Sequence, residues 1–202
     1  MRYTIITPTI CRPTLARACQ SVENQTCSDW EHIVMVDGVE GEVPEHPQRK
    51  IIHCERNHND VGNTCRRDAW AYASGDYLYY LDDDNYLSHR GVLEELKQVT
   101  LPWALLPIYR IGRGGTSRDF QSEPVRNSPS GFGGHRLFRS PPHGGWVDTG
   151  SMLIRRDIGQ WIARKTDTDA ELAVKLRRGY PYQSMGHLRP VMIYRFAKGW
   201  LY

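Results

Sequence analysis

Three consecutive carboxylates, Asp82-Asp83-Asp84, follow directly on the apolar, strand-forming run Tyr77-Leu78-Tyr79-Tyr80-Leu81. Acids crowded at the end of a buried segment repel one another unless a cation sits among them. Hard divalent ions such as Mg²⁺ or Mn²⁺ prefer oxygen donors and are commonly held by one or two carboxylates together with substrate phosphates. A solvated acidic turn is the plainer alternative. Thr7-Pro8-Thr9, with Arg12 close behind, and Asp37 fall at the ends of two earlier strand-like runs. They offer hydroxyl, backbone, guanidinium and carboxylate groups to a nucleoside, although a turn at Pro8 and a strand-ending cap at Asp37 would explain the same residues. Arg66 and Arg67 open a helix just before the acidic strand, where a guanidinium suits a phosphate or a base carbonyl; an exposed, salt-bridged helix face is the alternative.

These residues need a scaffold, and the hydrophobic pattern supplies one. Tyr3-Thr4-Ile5-Ile6-Thr7 is a β-branched run stopped by Pro8. Pro13 suits a first helical turn, with Leu15, Ala18, Cys19 and Val22 on one face. His32-Ile33-Val34-Met35-Val36 is a short apolar run ended by Asp37-Gly38, as expected of a strand buried on both faces. Ile51-Ile52 predicts a third strand, the Ala69–Ala73 stretch a helix, and Tyr77–Leu81 a fourth strand. Ser88 is a candidate cap for a helix carrying Val92, Leu93, Leu96 and Val99, and Trp103–Ile108 predicts another strand. The order β-α-β-β-α-β-α-β favours an α/β fold: an open, mixed but mostly parallel Rossmann-like sheet flanked by helices, in a single domain, with ligands beyond the carboxyl ends of the strands.

Residues 112–145 are rich in Gly, Pro, Ser and Arg, and read as a long substrate loop. Beyond it, Trp146–Ile154 predicts a strand, Ile158–Ala163 a short helix, Asp169–Arg178 a helix closed by Gly179, and Val191–Tyr194 a last strand.

At 202 residues, 40% apolar and 24% charged, the chain is long enough for one self-sufficient core, and disorder is excluded. A net charge of +3 is too slight to mark a nucleic-acid partner. No run approaches a membrane span, and Pro8 interrupts a signal-peptide core, so a soluble, cytoplasmic protein is expected. The five cysteines are odd in number and lack a C-x-x-C pair, which argues against a disulfide framework or a zinc knuckle and for reduced thiols. Neither G-x-x-x-x-G-K-[ST] nor G-x-G-x-x-G occurs.

The segments TIITPTICRPTLARACQSVENQTCSDWEHIVMVDG and NDVGNTCRRDAWAYASGDYLYYLDDDN resemble the nucleotide-sugar half of family 2 glycosyltransferases, the GT-A fold with its D-x-D motif. The resemblance spans residues 3–87. It implies one transferase domain over 1–202, with a nucleotide-sugar half at 1–110 and an acceptor half at 111–202. It implies transfer of a sugar from a nucleotide diphosphate donor, by family habit a UDP-sugar, to a glycan or other hydroxyl acceptor, with Mn²⁺ or Mg²⁺ as cofactor. Pro8 and Asp37 become nucleoside contacts and Arg66 the arginine of the family's A-R-N-like helix start. Asp82 faces the ribose or a metal-bound water, Asp83 takes the variable middle position, and Asp84 is the direct metal ligand. Asp37-Gly38-Val39 departs from the family, which more often has a second acid and a serine there.

Thr168-Asp169-Ala170-Glu171-Leu172 resembles the family's E-D-x-x-L segment, which makes Asp169 the general base of an inverting transfer, with Asp148 and Asp167 in reserve. The same residues read as a capping box, and a helix-start acid is stabilised as the charged form, which weakens a base unless burial compensates. Arg195 and Lys198, or Arg113 and Arg118, are candidates to close over the diphosphate. His187 is a possible further metal ligand or an exposed turn residue. Trp146, Trp161 and Trp200 are candidates for stacking on an acceptor or for the core. Two rival classes remain open at this stage: nucleotidyl transfer, against which the lack of glycine between Thr7 and Pro13 counts, and a non-catalytic carbohydrate-binding domain.

Overall fold

A computed structural model describes residues 1–111, 123–124, 135–138, 148–162 and 168–195. In chain order the strands are β1 (Tyr3–Thr9), β2 (Trp30–Val36), β3 (Arg49–His53), β4 (Tyr77–Tyr80), β5 (Tyr86–Leu87), β6 (Trp103–Leu105), β7 (Ile108–Ile111), β8 (Glu123–Pro124), β9 (His135–Phe138), β10 (Met152–Arg155), β11 (Tyr182–Ser184) and β12 (Met192–Arg195). The helices are α1 (Leu15–Glu23), α2 (Asn63–Ala69), α3 (Val92–Glu95) and α4 (Thr168–Gly179). Two of them, α2 and α3, continue into a short 3₁₀ turn.

A seven-stranded sheet runs β11-β6-β10-β4-β1-β2-β3. β3, β2, β1 and β4 are mutually parallel, β10 is antiparallel to both its neighbours, and β11 is parallel to β6. The sheet therefore draws strands from both halves of the chain. β1 and β2 are buried along their whole length, as their unalternating apolar runs require. Leu15, Ala18, Cys19 and Val22 are the buried face of α1, the four residues the helical spacing selects. Among the described residues, no helix is long and apolar enough to cross a membrane.

A second sheet, β5-β12-β7-β9-β8, was not expected. It divides the predicted Trp103–Ile108 strand: residues 103–105 stay in the main sheet, and the chain bends at Leu106-Pro107 to enter β7. It also places strands at 123–124 and 135–138 inside the predicted loop, whose other residues lie outside the described ones. Within the predicted Trp146–Ile154 strand, Asp148 caps a 3₁₀ turn over Thr149–Ser151 and β10 starts at Met152, while residues 146–147 lie outside the described ones. The predicted Ile158–Ala163 helix is absent over its described residues 158–162, where a 3₁₀ turn at Arg156–Ile158 leads into irregular chain. Ser88 caps nothing; its hydroxyl donates to the carbonyl of Pro190, and α3 starts from Gly91.

At the amino edge of the main sheet, buried Glu31 ties three elements together. Its carboxylate accepts from Thr4 Oγ1 at 2.7 Å, from the N–H groups of Ser74 and Gly75 at 2.5 and 3.1 Å, from Ser74 Oγ at 2.9 Å and from Lys50 Nζ at 3.1 Å. Burial alone would raise its pKa, but these donors overcome burial and hold it at about 2.

Candidate active site

β1 lies between β2 and β4, so chain order reverses beside it, and the crevice beyond its carboxyl end is the expected ligand site of such a sheet. Pro8 helps to open it. The β1–β4 pairing runs from Tyr3↔Tyr77 to Ile6↔Tyr80, and Leu81 N still donates to Ile6 O at 2.9 Å. In a parallel ladder the next rung would need the N–H of residue 8, which proline lacks. β1 continues to Thr9 paired with β2 alone, and the two strands part where the acids begin.

The triplet splits three ways. Asp83 is buried, accepting from Thr9 Oγ1 at 2.7 Å and from Arg12 NH1 at 3.2 Å. Asp84 faces the same Arg12 nitrogen at 3.4 Å, while its carbonyl accepts from Arg17 NH2 at 2.8 Å. Asp82 pairs with Arg66. Burial pushes Asp84 up to about 6, with Asp82 and Asp83 adding to the rise and Arg12 opposing it. Burial likewise raises Asp83 against the help of Thr9 and Arg12. Arg12 is thus shared between two carboxylates whose charged forms burial disfavours. The adjacent hard oxygen donors fit a divalent cation held by Asp84.

Arg66 is buried in the last turn of α2, where NH1 donates to Val61 O at 2.9 Å and to Asn63 Oδ1 at 3.2 Å. Burial opposes its charge, but Asp82 outweighs that, with a smaller contribution from Asp169. Arg67 is exposed and bonds Asp68 at 2.6 Å, so only the first arginine of the pair faces the site.

Asp169 stands in the first turn of α4, where Ala170 N donates to it at 2.9 Å. Burial is the largest influence and raises its pKa; the Ala170 amide and Arg66 pull it down, and Asp82 adds to the rise. The compensation that a helix-start base needs is present. Arg66 lies within electrostatic reach of both Asp82 and Asp169, which brings the acid of α4 to the acidic edge of β4.

Asn63 carries no signal in the sequence that would single it out. Its Oδ1 accepts from Arg66 NH1, from Trp161 Nε1 at 3.1 Å and from Thr168 Oγ1 at 2.8 Å, joining α2, the segment after β10 and the start of α4. Thr168 therefore spends its hydroxyl proton on Asn63. Trp161 is core: its ring lies 4.6 Å from Tyr80, and Arg66 sits 5.4 Å above it.

One expectation is corrected. Thr7 does not reach the crevice. It is fully buried and 2.9 Å from Nε2 of His32, whose Nδ1 accepts from Arg49 Nε at 3.1 Å. Burial, aided by Arg49, holds this imidazole neutral, so Nε2–H donates to Thr7. His187 is exposed in the turn after β11, outside any cluster of potential ligand atoms among the described residues. Asp148 accepts from Gly150 N at 3.1 Å as a cap. Asp37, at the end of β2, is buried and bonds His58 through the backbone N–H at 3.1 Å and the ring Nδ1 at 2.5 Å. Asp167, Lys198, Arg113, Arg118, Trp146 and Trp200 lie outside the described residues, and of Arg195 only the backbone is described, in β12.

The model of the family described as Glycosyl transferase family 2 matches residues 4–159. The chain belongs to that family. Its fold is the GT-A fold, as comparison with solved structures shows. Staphylococcus aureus TarS 1-349 in complex with UDP-GlcNAc superposes with a TM-score of 0.66 at 14% identity, covering 98% of this chain and 60% of that one. The mannosyltransferase PcManGT from Pyrobaculum calidifontis, in complex with GDP-Man and Mn²⁺, gives 0.63 at 13% identity, covering 99% and 58%. The family 2 chain thus spans about three fifths of the length of these two solved chains. No curated protein sequence matches it significantly.

Proposed function

We propose that this family 2 chain transfers a sugar from a UDP-sugar to a hydroxyl of a glycan or related acceptor, with inversion at the anomeric carbon. The observation that carries the reading is the meeting of Asp82, Arg66 and Asp169 at the carboxyl edge of β4, beside the crevice that Pro8 opens. Pro8, Thr9 and Asp37 line the nucleoside side. Arg66 fixes Asp82, which faces the ribose or a water on the ion. Arg12 and Asp83 hold the loop beneath the diphosphate. Mn²⁺ or Mg²⁺ on Asp84 would neutralise charge on the departing diphosphate. Asp169 takes the acceptor proton; its raised pKa brings it nearer to neutrality, where a general base is more effective. UDP-GlcNAc in one neighbour, and GDP-Man with Mn²⁺ in the other, support this class of donor and ion.

The test is a panel of nucleotide sugars with Mn²⁺, run on wild type and Asp169→Asn. Expected is donor turnover in wild type, slowed by about 10²–10⁴-fold in the variant with donor affinity retained. Undiminished turnover in Asp169→Asn would remove the assigned base. Pyrophosphate release from a nucleoside triphosphate without sugar transfer would favour nucleotidyl transfer instead.

A further inference from the structure

We infer that Asp37, Cys54, His58 and Cys65 form a thiolate-containing zinc site, separate from the Asp84 edge. One ligand atom from each of the four lies within 4.8 Å of the others. They come from different elements: Asp37 from the end of β2, Cys54 from the residue after β3, His58 from the loop that follows, and Cys65 from α2. The two cysteines stand 11 positions apart, so the cluster is formed by the parallel sheet and escapes any search for a C-x-x-C hairpin.

The distances suit the ion. Two thiolates on tetrahedral zinc, each at about 2.3 Å, lie about 3.7–3.8 Å apart. Cys54 Sγ and Cys65 Sγ are 3.7 Å apart, far beyond a disulfide's bond of about 2.05 Å. His58 Nδ1 and Asp37 Oδ1, at 2.5 Å, are drawn together by a shared proton. Replacing that proton with an ion bonded to each at about 2.0–2.1 Å would move them apart to about 3.3–3.4 Å, a shift within the reach of an exposed loop.

The local backbone presents His58. Cys54 N donates to Val36 O at 2.8 Å, tying the start of the loop to β2, and His58 N donates to Asp37. Gly38 turns the chain at φ +61°, and a Cβ there would stand 1.9 Å from Asn57 N, so the loop crosses β2's end in van der Waals contact. Burial raises both thiols above their ordinary pKa, so without metal they hold their protons. Zinc binding would therefore release the two thiol protons to solvent, while the ring proton between His58 and Asp37 would pass to Nε2 of His58.

The donor sets sort the ions: two sulfurs and an imidazole select zinc, and the oxygens around Asp84 select Mg²⁺ or Mn²⁺. The proposal does not depend on sugar transfer. The zinc would set the Asp37 carboxylate and pin the 54–62 loop at the rim of the crevice.

The experiment uses the full chain, stripped with a chelator and titrated with Co²⁺ and then Zn²⁺ in the absence of nucleotide. Expected are one Co²⁺ per chain, thiolate-to-cobalt charge-transfer absorption, intense tetrahedral d–d bands, and displacement of both by one Zn²⁺. Cys54→Ser should lose the charge-transfer intensity of one thiolate and weaken the ion by more than about tenfold, while its unfolding in chelator matches wild type. Should Cys54→Ser fail to fold, His58→Ala carries the test, expected to lose the tetrahedral spectrum while retaining thiol signal. Cobalt binding without charge-transfer bands, spectra unchanged in both variants, or a Cys54–Cys65 disulfide in the freshly purified protein would overturn the site. Because no donor is present, none of these results bears on the proposed transfer.

Discussion

Glu31→Gln tests how the amino edge of the sheet is held. The carboxylate is buried and receives five donors, and its pKa lies at about 2 against an ordinary 4.5. That gap corresponds to about 3 kcal/mol of stability. The folded value is depressed, so the unfolded chain takes up the proton first as acid is added. The contribution is complete above about 4.5 and is lost as the pH falls towards about 2. Gln replaces one acceptor with an NH₂ group that must face donors such as Ser74 Oγ or Lys50 Nζ. Urea unfolding should find the variant about 3 kcal/mol less stable at pH 7, with the melting temperature about 6–12 °C lower. The two proteins should converge as the pH falls below about 4.5. Nucleotide binding near neutrality should be unchanged, since Glu31 lies at the edge opposite the crevice. A deficit below about 1 kcal/mol at pH 7, or one that stays constant down to pH 3, would refute the assigned hydrogen-bond origin.

Asp84→Ala should abolish the Mn²⁺ dependence of UDP binding, read by calorimetry, while the circular dichroism of the fold is kept. Asn63→Ala strips one acceptor from three buried donors and should cost at least about 2 kcal/mol in denaturant unfolding. It should also lower turnover by loosening α4 and Asp169. Gly38→Ala forces a Cβ into the backbone at Asn57 and should destabilise by about 1–3 kcal/mol, with faster amide exchange in residues 54–62.

The parallel half of the fold was legible because its strands are continuous apolar runs ending in polar residues, and α1 shows its buried face in four residues at helical spacing. The acid triplet was legible as chemistry for the same reason, since it follows the apolar run Tyr77–Leu81 without a gap. The second sheet was not. Its strands are two to four residues long, and β5 pairs with a strand about a hundred positions away, so no local periodicity marks it. The Asn63 hub joins residues 98 and 105 positions apart through side chains alone. Thr7 was misplaced because the motif Thr7-Pro8-Thr9 reads as one unit, whereas the hydroxyl of its first member is claimed by His32. His58 carries no signal without the loop that folds it back onto Asp37.

A sheet tends to extend itself, since each further rung satisfies two more backbone groups at its growing end. The pyrrolidine ring at position 8 stops that zippering on one side of β1 without any bulky obstacle. The mouth of the crevice is consequently kept apart by a missing hydrogen, and a substitution restoring an amide there would let β4 creep one step further and narrow the entrance from within.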